Sequence, residues 1–303
     1  MTFRLLPWSL GAALLTGVLA CGAIPAPPPP AQQPARPLEI TSGQPSRPSP
    51  LSPTSPTPPP TPSLAPPEAP PQPAWTVGAH PLPLRPDGFG VVLPTPPALV
   101  DRKLATADLL PPPTSATFES TVRPVPAEVL ARSTWKPACP VSPSRLRYLT
   151  MSFHGFDGRL HTGEMLVNAD VTETVVAVFE RLFAVRFPIE EMWVVDAPEL
   201  NLPPTGDGNN TSAFVCRPAR GQTRWSAHAY GLAIDLNPFQ NPYLSADLVL
   251  PELASAYLTR DRVRPGMVFD GGPAVSAFEA AGWTWGGRWS KPIDWMHFSA
   301  TGS

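Results

Sequence analysis

Proline is spread so unevenly along this 303-residue chain that it decides where a fold can form. Of its 47 prolines, 21 lie between residues 25 and 73. Proline lacks an amide donor and fixes φ, so a run this dense supports neither a helix nor a sheet ladder. Its neighbours are Ser, Thr, Ala and Gln, with almost no apolar surface to offset the entropy of ordering. Residues 21–75 are therefore expected to be a disordered, polyproline-like tether, roughly 3 Å per residue and about 150 Å at full stretch.

Ahead of the tether, residues 1–20 have the form of an export signal. Arg4 gives a short basic start, and the apolar run 10–20 is too short for a membrane span. The run ends in Val18-Leu19-Ala20-Cys21, which resembles a lipobox and implies a bacterial lipoprotein anchored through a lipid on Cys21. Leu19 is bulkier than the small residue usual before Ala, so ordinary cleavage without lipid stays open.

Residues 76–134 read as an arm, partly ordered against the domain that begins near 135. A short strand is expected at 88–93, and one or two helical turns at 104–110. From 135 to 303 the texture is globular, and some 170 residues are enough for one core. Strands are expected at 145–153 and 163–168, joined by a loop carrying Gly155, Gly158 and His161. Val171, Val175, Phe179, Leu182 and Arg186 recur at three- and four-residue steps, which predicts a helix over 170–186. Asp170 with Glu173 has the form of a capping box, and Pro188 stops the helix. Further strands are expected at 191–196, 213–217 and 233–236, and a short helix at 273–281; residues 294–299 close the chain. Strands and helices mix without βαβ alternation, so the fold class is α+β, a small domain with a central antiparallel sheet flanked by helices.

Net charge is −2, which gives no electrostatic case for nucleic acid as a partner. With Cys21 set aside, Cys139 and Cys216 remain, and an even count in an exported chain points to a disulfide. The alternative is a thiolate metal ligand.

Chemistry concentrates in two motifs. Residues 226–235 read S-x-H-x-x-G-x-A-x-D, with His228 and Asp235 as nitrogen and oxygen donors suited to a divalent metal such as zinc. Their odd spacing puts them on opposite faces of a regular strand, so the chain must bend between them, and Gly231 permits the bend. Beyond it, Ala233 and Asp235 share one face and Ile234 and Leu236 the other. The pair by itself reads equally well as a polar His and Asp in a tight turn. Near the C-terminus, however, Asp294-Trp295-Met296-His297 adds a third ligand, His297, and a second carboxylate, Asp294. Three protein ligands with one open position form the pattern of a catalytic zinc site. The carboxylate left over is then placed to take a proton from a water.

S-x-H-x-x-G-x-A-x-D followed by D-x-x-H-F resembles the zinc D-alanyl-D-alanine carboxypeptidases of bacterial cell walls, the VanY-like group. Their relatives include L-alanyl-D-glutamate endopeptidases and vancomycin-resistance dipeptidases. The likeness extends upstream through residues 210–217, 187–189, 155–158 and 161–164, and covers roughly 139–303. It implies zinc held by His228, Asp235 and His297, with Asp294 as general base and peptidoglycan stem peptides as substrate. It also implies an arginine for the oxyanion; Arg217 fits by order and neighbourhood, with Arg224 as rival. Ser226 is expected to orient its loop. His161 and Glu164 match an H-x-G-E stretch and are expected on a surface hairpin, or at the cleft border. His154 and His80 are expected to face solvent, and Trp283, Trp285 and Trp289 to form core and cleft wall. The scissile bond stays open among D-Ala-D-Ala, L-Ala-D-Glu and cross-bridge amides. The alternative function is a non-catalytic lipoprotein that binds cell-wall peptides. In either case the chain is expected to be an exported, membrane-anchored monomer at the cell envelope.

Overall fold

The computed structural model describes residues 75–219 and 222–302; the leader, Cys21 and the proline-rich tether lie outside the described residues. In chain order the elements are α1 (Pro97–Val100), β1 (Ser120–Pro124), α2 (Ala127–Arg132), β2 (Leu146–His154), β3 (Leu160–Asn168), α3 (Thr172–Ala184), β4 (Ala233–Asp235), β5 (Tyr243–Ser245), β6 (Leu248–Leu250), α4 (Pro273–Ala280), β7 (Thr284–Trp285), β8 (Ile293–Asp294) and β9 (His297–Ser299). The mixture of helices with antiparallel strands is α+β. Among the described residues no helix is long and apolar enough to cross a membrane.

One central sheet was expected, and here the structure corrects the sequence reading. The strands form three three-stranded antiparallel sheets, in orders β1-β2-β3, β4-β9-β7 and β6-β5-β8. The strands differ in length and in what meets their edges. Only β2 and β3 are long, nine residues each, while the C-terminal strands have two or three. The outer edge of β3 is met by scattered partners, the Met192 and Gly231 carbonyls and the Phe214 amide, and the short strands pair among themselves.

The β2–β3 hairpin is buried on both faces, which its period of two makes easy to follow. Leu149, Met151 and Phe153 point one way, onto Val175, Val178, Phe179 and Leu182 of α3 and onto Ile234 and Phe298 of the β4–β9 pair. Leu146, Tyr148 and Leu166 point the other way, onto Val129, Val194, Phe214 and Cys216. Each such side chain removed from water contributes about 1.5–3 kcal/mol. The helix therefore holds the long hairpin, and the hairpin core in turn holds β4 and β9.

The Cys139–Cys216 disulfide is present, with Cα atoms 5.8 Å apart across 77 residues of sequence. That pairing excludes the thiolate-ligand alternative.

Several local expectations change. The capping box at Asp170 does not form, because the Asp170 carboxylate pairs with Arg145. Asn168 instead caps a 3-10 turn, accepting from the Asp170 amide at 3.1 Å, and α3 starts only at Thr172. Residues 191–196 are not a strand: Glu191 makes a single bridge to Asn210, whose side-chain amide then serves the Trp193 backbone at 2.9 and 3.0 Å. Residues 213–217 are not a strand either, since successive amides go to Leu166, His228 and the Thr134 hydroxyl rather than to one neighbour. Residues 88–93 reduce to the bridge Leu84–Gly90, and 104–110 hold no helical turn. His154 is half-buried against Phe183, ring centroids 4.6 Å apart, and burial lowers its pKa. His80 is exposed.

Candidate metal centre and cleft

His228 sits in a 3-10 turn, Ala227–Tyr230, whose carbonyls are closed by Gly231 at φ +67°. A Cβ on Gly231 would stand 2.6 Å from the Asn168 amide nitrogen, so glycine is required there for both conformation and space. The chain then enters β4. Asp235 exchanges both backbone hydrogen bonds with Ser212, at 2.9 and 3.1 Å, and lies opposite His297 in the β4–β9 register. Ala233, Ile234 and Leu236 are all fully buried, and only Asp235 in this run is half-exposed toward a cleft. The bend at Gly231 thus brings the odd-spaced pair together, as the sequence requires.

The three donors meet. His228 Nε2 is 3.3 Å from Asp235 Oδ1 and 3.2 Å from His297 Nδ1, and His297 Nδ1 is 3.2 Å from Asp235 Oδ1. Among the described residues this is the one group of three His, Cys, Asp or Glu side chains close enough to hold an ion. Donors placed tetrahedrally about 2.0–2.1 Å from one zinc ion stand about 3.3 Å from one another, so the edge lengths fit. The tautomer fits as well. His228 Nδ1–H donates to the Ala213 carbonyl at 2.7 Å, which leaves the Nε2 lone pair facing the other two donors. Burial works to raise the Asp235 carboxyl, but the His228 and His297 imidazoles prevail and hold it well below the usual carboxylate range.

These residues line one side of a cleft of about 360 Å³. Asp294 lines it too, from β8, where it lies opposite Tyr243 of β5. Trp289 forms a wall, its ring centroid 5.3 Å from that of His297, while Trp283 and Trp285 are core. Arg217 and its rival Arg224 both reach the cleft, from the two sides of a bridge between Pro218 and Trp225. Ser226 Oγ donates to the Arg217 carbonyl at 3.1 Å, the loop-orienting role expected of it.

His161 and Glu164 are in neither expected place. His161 is fully buried, its ring nitrogens 2.7 Å from Asp108 and 3.1 Å from Asp157. Glu164 is buried between Arg132 and Tyr148. Both are polar anchors inside the fold, away from the cleft lining. Sequence reasoning missed two contributors to the site. The Ala213 carbonyl has no side-chain signature. Gly286 leaves room that the Asp294 backbone fills, since a Cβ there would stand 2.7 Å from the Asp294 carbonyl oxygen.

Residues 220–300 match the family model described as D-alanyl-D-alanine carboxypeptidase. His228, Asp235, Asp294 and His297 all fall inside that segment; Arg217 and both bonded cysteines fall before it. No curated protein and no solved structure matches the chain.

Proposed function

We propose that this chain, whose segment 220–300 belongs to the D-alanyl-D-alanine carboxypeptidase family, is a zinc-dependent peptidase of peptidoglycan stem peptides. The observation that carries the reading is the triangle of donor atoms, 3.2–3.3 Å on each edge, opening on a cleft that also holds Asp294. A binding module has no need of that fourth group.

His228, Asp235 and His297 hold the metal. When bound, zinc supplies a Lewis acid that polarises the peptide carbonyl and lowers the pKa of a water. Asp294 takes the proton of the attacking water and passes it to the leaving amine. Arg217 steadies the negative charge that develops on the carbonyl oxygen; a fixed cation at that position acts only as charge appears. Trp289 shields one side of the site from bulk water. The D-Ala-D-Ala bond is the first candidate for cleavage. Export through the leader, a lipid on Cys21 and the long tether place the monomeric domain in the cell envelope, within reach of the wall.

The test is mass spectrometry of muropeptides incubated with the full chain, with and without a zinc chelator. Release of D-alanine or of a shortened stem, abolished by chelation and restored by zinc, is expected. Zinc-loaded protein that cleaves none of the muropeptides returns the function to peptide binding.

A further inference from the structure

Arg102 precedes the family-matched segment by more than a hundred residues, yet it is the largest side chain among the described residues with under 2% exposure. Its Nε and Nη2 donate to the Glu190 carboxylate at 2.6–3.2 Å, and its Nη1 donates to the Asp207 carbonyl at 2.7 Å. The guanidinium also lies 4.4 Å over the Phe239 ring. A buried ion pair adds little stability over well-packed apolar groups of the same volume, so its cost calls for another reason.

The hydrogen bonds beyond Glu190 supply one. Glu190 Oε2 accepts from Asn209 Nδ2 at 2.8 Å, and Asn209 Oδ1 accepts from the Phe239 amide at 2.8 Å. The Glu190 amide donates to Asn237 Oδ1 at 3.3 Å. Asn237 is at φ +42°, a left-handed conformation that Asn tolerates better than most non-glycine residues. Its side-chain amide donates to the Pro188 carbonyl at 2.8 Å, on the same stretch that carries Glu190. The turn that leaves Asp235 is therefore tied to Glu190, the partner of Arg102, at residue 239 through Asn209 and at residue 237 through the Glu190 amide; Asn237 is held as well by the Thr211 hydroxyl and the Gly266 carbonyl.

We propose that Arg102 is a positioning residue for the metal site: through Glu190 it fixes the turn 237–239, and so the direction in which Asp235 presents its carboxylate. This rests on the metal reading above. It also makes the arm before residue 135 part of the catalytic unit.

Two readouts test it on the full chain, with wild type, Arg102→Met and Arg102→Lys. The first is zinc affinity by chelator competition, well below each variant's melting temperature. Outer partners of a metal site are typically worth 10–100-fold in affinity, so Arg102→Met should bind zinc about tenfold more weakly, with Arg102→Lys between it and wild type. The second is amide hydrogen exchange without metal, where residues 235–241 should exchange faster in the variants while β2 stays protected. Should Arg102→Met not fold, Arg102→Lys and the isosteric Glu190→Gln give the same two readouts. A folded variant with zinc affinity within twofold of wild type and unchanged exchange at 235–241 overturns the proposal, and a lowered melting temperature would then be its whole effect. If wild type binds no zinc, the metal reading fails, and the exchange readout still decides whether Arg102 holds this turn.

Discussion

Asp235 and His297 stand opposite each other in the antiparallel β4–β9 pair, with Asp235 Oδ1 3.2 Å from His297 Nδ1. Opposite residues in such a pair project to the same face, and their neighbours project to the other. Ile234 and Phe298, the adjacent pair, are fully buried in the core. A slip of one residue would drive His297 into that core and Phe298 into the cleft, so apolar packing fixes the register that assembles the ligands.

The first prediction concerns this set. The purified full chain is expected to carry about one zinc ion, because three donors and an open position suit a single catalytic metal. His228→Ala, Asp235→Ala and His297→Ala should each lose most of it after desalting. Metal analysis that finds full occupancy in any one of them removes that residue from the set.

Asp294 lines the same cleft but is assigned to proton transfer, not to the metal. Asp294→Ala should keep its zinc and lose turnover by a factor of at least about 10². Arg217→Ala should also keep zinc and lower kcat more than it raises KM, as for a contact made mainly in the transition state. Zinc content and product release are to be measured on the same preparations. Loss of zinc from Asp294→Ala would make Asp294 a ligand. If Arg224→Ala rather than Arg217→Ala lowers kcat, the oxyanion role passes to Arg224.

How much of this was legible in the sequence depends on the range of the interaction. Helix α3 shows its periodicity because its apolar face meets one flat hairpin. The two motifs show the donor set because the ligand spacing and Gly231 are local features. The strand expectations failed at 191–196 and 213–217, where apolar residues are buried but their amides pair with scattered partners such as Asn210 and Thr134. Burial pattern alone does not reveal where hydrogen bonds go. His161 and Glu164 misled for a related reason. Their partners Asp108 and Arg132 come from the arm, and no spacing rule links those positions.

The disulfide links Cys216, next to Arg217 at the cleft, to the segment just after the arm. Cross-linking residues 77 apart stabilises by about 4 kcal/mol in the loop-entropy model. The double variant Cys139→Ser, Cys216→Ser should therefore melt well below wild type when both are examined without reductant. Peptide mapping without reduction should recover the 139–216 cross-link from wild type; two free thiols there would refute the pairing in solution.

Glu191 carries the clearest pH prediction. Burial and the neighbouring Glu190 push its carboxyl up to about 8, with Asp207 adding to the rise and Arg102 opposing it. A carboxyl whose pKa is raised in the folded state binds its proton more tightly there than in the unfolded chain. Its stabilising contribution is full below the unfolded value of about 4.3 and is lost as pH rises toward 8. Glu191→Gln fixes the neutral form. It should match wild type in melting temperature near pH 4 and exceed it increasingly as pH rises toward 8. A gain on the order of 1 kcal/mol would appear as about 2–4 °C. Parallel melting curves for the two proteins across that window would show that folding does not raise the Glu191 pKa.

The last prediction uses the space beneath Asp294. A Cβ on Gly286 would lie 2.7 Å from the Asp294 carbonyl oxygen, 3.0 Å from Asp294 Cβ and 3.2 Å from the Trp289 ring. The first of these contacts is to backbone, which cannot rotate away as a side chain can. Asp294 is in β8, paired with Tyr243, so Gly286→Ala must push β8 and the proposed base with it. The metal donors lie on β4, on β9 and in the Ala227–Tyr230 turn, and the three atoms nearest that Cβ belong to none of them. Gly286→Ala is therefore expected to keep zinc while turnover falls, since a misplacement of about 1 Å can cost on the order of 10²-fold. Gly208→Ala is the control: its Cβ would meet nothing within 4 Å, and activity should not change. Turnover of Gly286→Ala equal to wild type would mean that Asp294 needs no fixed position, which removes it as the general base. Loss of zinc would instead mean that the displacement travels three residues on, from Asp294 to His297.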